Sequence, residues 1–138
     1  MARVVIDTNV LVSALINEGK PRRLVLELLE KHTVILSRLM LAELADVVSR
    51  DKFSVTGSQV DRFVSSLIRM SKVVPDNVRF KVVLEDPEDD VVINTAYSGQ
   101  AEFIVTGDHR LLVLGQFKKI KIVTVNQMQD TLMEQRTR

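Results

Sequence analysis

Short runs of consecutive apolar residues alternate along this chain with longer stretches in which apolar positions recur every three or four residues. The first pattern reads as strands buried on both faces, the second as amphipathic helices. Residues 3–6 predict a strand, and Thr8 to Ile16 a helix ending near Asn17 and Gly19. Pro21 starts a second helix, with Leu24, Leu28 and Leu29 at helical spacing. It ends around Lys31 and His32, cations that suit a helix C-terminus. Thr33 to Leu36 form a second strand-like run, and Ser37 is placed to cap a helix from about Arg38 to Arg50. Thr56-Gly57-Ser58 break the chain, with Ser58 as the expected cap of a helix through about Met70. Val73-Val74-Pro75 and Val82-Val83-Leu84 read as short extended pieces. Asp86-Pro87-Glu88-Asp89 is a helix start, with Asp86 as cap and Pro in the first turn, and that helix stops at Gly99. Phe103 to Val105 predict a strand, His109 to Leu114 a short helix or turn, and Ile120 to Val125 the last strand. A C-terminal helix is expected from about Gln127, with a polar tail over residues 134–138.

Strands that alternate with helical segments, and are apolar throughout, imply a parallel sheet covered on both faces. The expected fold is α/β: a three-layer α/β/α sandwich around a central, mainly parallel sheet. The 138 residues suit a single domain, 1–138.

Composition narrows the chemistry. There is no cysteine, which removes disulfides, thiolate zinc sites and a cysteine nucleophile. This agrees with a cytoplasmic setting. No apolar stretch approaches the length needed to cross a bilayer, and no signal peptide is expected at the N-terminus. The net charge of +1 gives no global field for a polyanion. If several acids share one pocket, however, the remaining surface is net basic.

Four acids sit at the joints of this pattern: Asp7, Glu43, Asp90 and Asp108. Asp7 follows Val4-Val5-Ile6, and Asp108 follows the strand at 103–105 through Thr106-Gly107. In open α/β sheets ligands bind beyond the carboxyl ends of the strands. Acids brought there from separate segments suggest one negative pocket, suited to a hard cation such as Mg²⁺ or Mn²⁺. Each acid also has a plainer explanation. Asp7 is a good helix N-cap, and Asp108 a good turn residue. Glu43 in a helix is ordinarily solvated, but its neighbours Leu41, Ala42, Leu44 and Ala45 leave little polar face. In the acidic run 86–90, Asp90 heads Val91-Val92-Ile93 and is expected to point inward, with Asp89 as its rival. His109, Arg22-Arg23 and the lysines at 118, 119 and 121 read first as surface.

Taken together, Val4-Val5-Ile6-Asp7-Thr8-Asn9-Val10-Leu11, Ser37 to Leu44, Asp86 through Ala96, and Ala101 to Leu112 resemble the PIN domain family. The likeness is strongest to small single-domain prokaryotic members related to VapC-type toxins. It implies a metal-dependent ribonuclease, with products carrying a 5′-phosphate and a 3′-hydroxyl. It assigns Mg²⁺ or Mn²⁺ to Asp7, Glu43, Asp90 and Asp108, with Asn9 and Thr106 in support. It further implies an RNA substrate, a small antitoxin partner and a homodimer. One position departs from the family pattern. Where relatives often carry another acid two residues after Asp108, this chain has Arg110. That residue either weakens a second metal or, with His109, contacts substrate.

Two other enzyme and signalling classes fit poorly. An aspartyl phosphatase needs a second Asp two residues after Asp7, where Asn9 stands. A phospho-receiver domain usually carries an acid pair near its first strand and an acceptor Asp after a mid-chain strand. Here the first strand brings only Asp7, and Ser37 follows the second. The remaining alternative is a catalytically weak binding module acting through an antitoxin-like partner, with Arg110 plugging the acid pocket.

Overall fold

The computed structural model describes residues 1–50, 53–76, 80–81 and 87–136, with side chains in the last segment from Asp89 onward. The expected extended piece at 82–84, the Asp86 cap and the end of the tail lie outside these residues.

Five parallel strands and one antiparallel edge strand form the sheet, in the order β3-β2-β1-β4-β6-β5. The strands are β1 (Arg3–Ile6), β2 (Thr33–Ser37), β3 (Lys72–Val74), β4 (Phe103–Val105), β5 (Gln116–Phe117) and β6 (Ile120–Val123). The helices are α1 (Thr8–Ile16), α2 (Lys20–Lys31), α3 (Arg38–Val48), α4 (Gly57–Met70), α5 (Pro87–Ser98), α6 (His109–Leu114) and α7 (Val125–Arg136). This is the α/β sandwich that the apolar pattern predicts. Val4, Val5, Ile6, Val34, Ile35, Leu36, Ile104 and Val105 are fully buried, which is why these strands carry no polar alternation. α5 packs across β1, β2 and β4, and Gly99, just past its end, lies against Ile35.

Several boundaries differ from expectation, and local hydrogen bonding explains them. Thr56, not Ser58, caps α4: it accepts from the Gln59 amide while the Gln59 side chain accepts from the Thr56 amide. The same reciprocal pair forms between Thr124 and Gln127. It ends β6 at Val123 and starts α7 at Val125, so the last strand is shorter than expected. β5 escaped the sequence reading because two residues show no periodicity.

The chain winds outward from β1 in two directions, to β2 and β3 on one side and to β4, β6 and β5 on the other. The crevice between the carboxyl ends of β1 and β4 is therefore the switch point at which open α/β sheets bind ligands. Asp7 directly follows β1, and Asp108 follows β4 by three residues.

Candidate metal centre

Asp7 is buried at the end of β1, where its own amide donates to Val105 O at 2.9 Å. Its two carboxylate oxygens are held separately. Oδ1 accepts from the Thr8 amide at 2.7 Å and caps α1, while Oδ2 accepts from the Thr106 hydroxyl at 2.7 Å. Thr106 Oγ1 accepts in turn from the Asp108 amide at 2.9 Å. One buried hydroxyl thus ties the turn after β4 to the carboxylate after β1. Asn9 is exposed, and its Oδ1 accepts from the Gly107 amide at 3.3 Å, a second stitch between the same two turns.

A cavity of about 370 Å³ opens at this point. Its walls include Asp7, Thr8, Asn9, Glu43, Asp89, Asp108 and Arg110, with Val12, Val47 and Phe53 as the apolar side. Glu43 and Val47 face it together because they lie one turn apart on α3.

Asp90 is the acid expected to point inward, with Asp89 as its rival. Asp89 lines the cavity and is buried, whereas Asp90 is half-buried and outside the lining. The reason is helical phase. Asp89 shares its face of α5 with buried Val92, Ile93 and Ala96, at the third, fourth and seventh positions after it. Asp90 shares its face with Asn94 and exposed Tyr97. His109 is exposed and does not line the cavity. Arg22 serves structure: its guanidinium donates to Ala14 O at 2.7 Å and Leu15 O at 2.8 Å, closing the end of α1.

Charge in the cavity is partly balanced from within. Arg110 Nε lies 3.4 Å from Asp89 Oδ2 and 3.7 Å from Asp108 Oδ1. The Arg110 amide donates to Asp108 Oδ1 at 2.9 Å, which makes Asp108 the cap of α6. Burial pushes the Asp108 carboxyl upward. The Arg110 amide, a hydrogen bond with Asp89 and the guanidinium charge together outweigh it and hold Asp108 below the usual carboxylate range.

The donor set suits a hard divalent cation in kind: carboxylate oxygens from four segments, with no sulfur or imidazole among the lining residues. Thr8 Oγ1, also in the lining, is buried without a hydrogen-bond partner among the described residues, which favours a polar occupant. In spacing the set is not gathered: among the described residues, no three His, Cys, Asp or Glu side chains are grouped to hold one ion. The Arg110 guanidinium lies against both Asp89 and Asp108.

Fold and cavity define an α/β protein with an acidic site at the sheet's switch point. A PIN domain family model matches residues 3–110, and the chain belongs to that family. It is 29% identical over 130 residues to an uncharacterized protein, MJ1680, of Methanocaldococcus jannaschii, covering 90% of this chain and 83% of that protein. The structure is similar to VapBC2 from Rickettsia felis, solved bound to a DNA fragment from its promoter. The TM-score is 0.61 at 14% identity, over 88% of this chain and 98% of the other, a likeness of fold.

Proposed function

We propose that this protein is a metal-dependent ribonuclease, the toxin component of a toxin–antitoxin pair. The observation that carries the reading is the convergence of Asp7, Glu43, Asp89 and Asp108 on one cavity at the β1–β4 switch point. Membership of the PIN family, whose domains are generally nucleases, supports it.

In this reading those four acids hold Mg²⁺ or Mn²⁺, and Asp89 takes the role the sequence assigned to Asp90. A bound divalent metal supplies Lewis acidity and a nucleophilic water at neutral pH. The chain supplies position. The Thr8 amide and the Thr106 hydroxyl fix both oxygens of Asp7, and the Arg110 amide fixes one oxygen of Asp108. Val12, Val47 and Phe53 give the acids a partly apolar wall, which strengthens their field toward a cation. RNA enters as the substrate, and a small antitoxin and a second copy are the proposed partners. Exposed Leu26, Ile68 and Met70 offer apolar surface for such contacts. No helix among the described residues is long and apolar enough to cross a membrane.

The second reading, a binding module with little catalysis, is favoured by one observation: Arg110 paired with two of the acids. Calorimetric titration with Mn²⁺ and an RNA-cleavage assay, on wild type and Asp7→Asn, decide between them. Binding and cleavage that vanish together in the variant support the nuclease. Wild-type protein that takes up no metal supports the binding module.

A further inference from the structure

We infer that Arg110 is a built-in counter-cation of the acid cavity, and that a divalent metal enters by displacing its guanidinium. This rests on the reading of the cavity as a metal site. The geometry separates two functions within one residue. The Arg110 amide, fixed at the start of α6, donates to Asp108 Oδ1. The side chain reaches back to Asp108 and onward to Asp89. The amide is bound into the helix, whereas the guanidinium hangs on a flexible stem and can leave without uncapping α6.

The Asp89 side chain is 7% exposed and that of Arg110 43%, so the cation is the more solvent-facing member of the pair. Both line the cavity, so an ion that settles against Asp89 meets the guanidinium there. The ion-pair distances of 3.4 and 3.7 Å, with a half-exposed partner, describe a contact that solvent weakens. Arg110 therefore acts as a competitor and not as a permanent block. A nearby cation also relieves the cavity: carboxylates that share it repel one another when nothing positive stands near them. Once displaced, the guanidinium lies at the cavity mouth, a position from which it can pair with an incoming phosphate.

The test is Mn²⁺ titration by calorimetry on wild type, Arg110→Ala and Arg110→Lys, with melting curves in chelator and in excess Mn²⁺. Arg110→Ala is expected to bind Mn²⁺ about tenfold more tightly, because it removes the competing pairs while keeping the amide cap. It should melt lower than wild type in chelator and gain more from metal. Arg110→Lys, which keeps a positive charge, should stay near wild type in affinity and reports on the charge should the alanine protein not fold. Equal or weaker binding by Arg110→Ala, or a lysine variant as tight as alanine, overturns the inference alone. No binding by any of the three proteins overturns the metal reading beneath it, and the inference with it.

Discussion

The Thr106 hydroxyl donates 2.7 Å to Asp7 Oδ2 across 99 positions of sequence. Both groups are buried, and the same hydroxyl accepts from the Asp108 amide. Thr106→Val keeps the shape, removes the donor and leaves a buried carboxylate oxygen short of a partner. Urea denaturation is expected to show a loss of about 1–3 kcal/mol. Mn²⁺ affinity should fall as well, since Asp7 is no longer oriented. A variant as stable as wild type would show that the bond carries no weight.

Asp7→Asn is expected to fold and to lose RNA cleavage. Asn is as good an N-cap as Asp, so α1 keeps its start, while the anionic ligand is gone. Circular dichroism checks the first half and a cleavage assay the second. Full activity in the variant would remove Asp7 from the site.

Asp89 and Asp90 are adjacent, which makes them a matched pair. Asp89→Asn should weaken Mn²⁺ binding at least ~10-fold and Asp90→Asn little, because only the first faces the cavity. The reverse ranking in titrations of the two variants would restore Asp90 to the role its sequence neighbours suggested.

His32 gives a pH dependence unrelated to the cavity. Its Nδ1 accepts from the Ala2 amide at 2.9 Å. Burial first, then the N-terminal ammonium, hold its pKa below the ordinary 6.5, with Glu27 opposing. The folded protein thus resists a proton that the unfolded chain accepts. Stability from this site is complete above pH 6.5 and falls as pH drops through that value toward the folded pKa. Melting temperatures measured across this range should show the decline in wild type and a flatter profile in His32→Gln. Identical profiles would refute it.

Gly99 lies so close to Ile35 that an added Cβ would overlap Ile35 Cγ2 and stand 3.1 Å from its Cδ1. Ile35 is fully buried in β2, so the strand has little room to yield. Gly99→Ala is expected to cost about 1–3 kcal/mol by overpacking, measured by denaturant titration. A neutral result would mean that α5 shifts freely on the sheet.

The fold is legible in the sequence because its strands are apolar on both faces and its helices are punctuated by strong signals. Pro87 sits at the first position of α5, and Ser37 caps α3. Boundaries set by a reciprocal cap are harder: Gln59 and Gln127 must be read as partners of threonines three residues before them. The turns at Asp7 and Asp108 announce themselves by following apolar runs. Asp89 and Asp90 are told apart in sequence by phase against Val92, Ile93 and Ala96, not by adjacency to the apolar run. Arg110 is different. Its position is visible in sequence, but its reach to Asp89 depends on α5 and α6 meeting in space.

Strand order also governs when the cavity can assemble. A chain emerging from the ribosome presents β1, β2 and α3 early, and so carries Asp7 and Glu43 long before their counterparts. Asp89 and Asp108 arrive late, and β4 must then insert beside β1, between it and the still later β6. No nascent fragment ending before α6 holds the assembled cavity. The residues of the proposed site are therefore all present only once synthesis has passed Arg110.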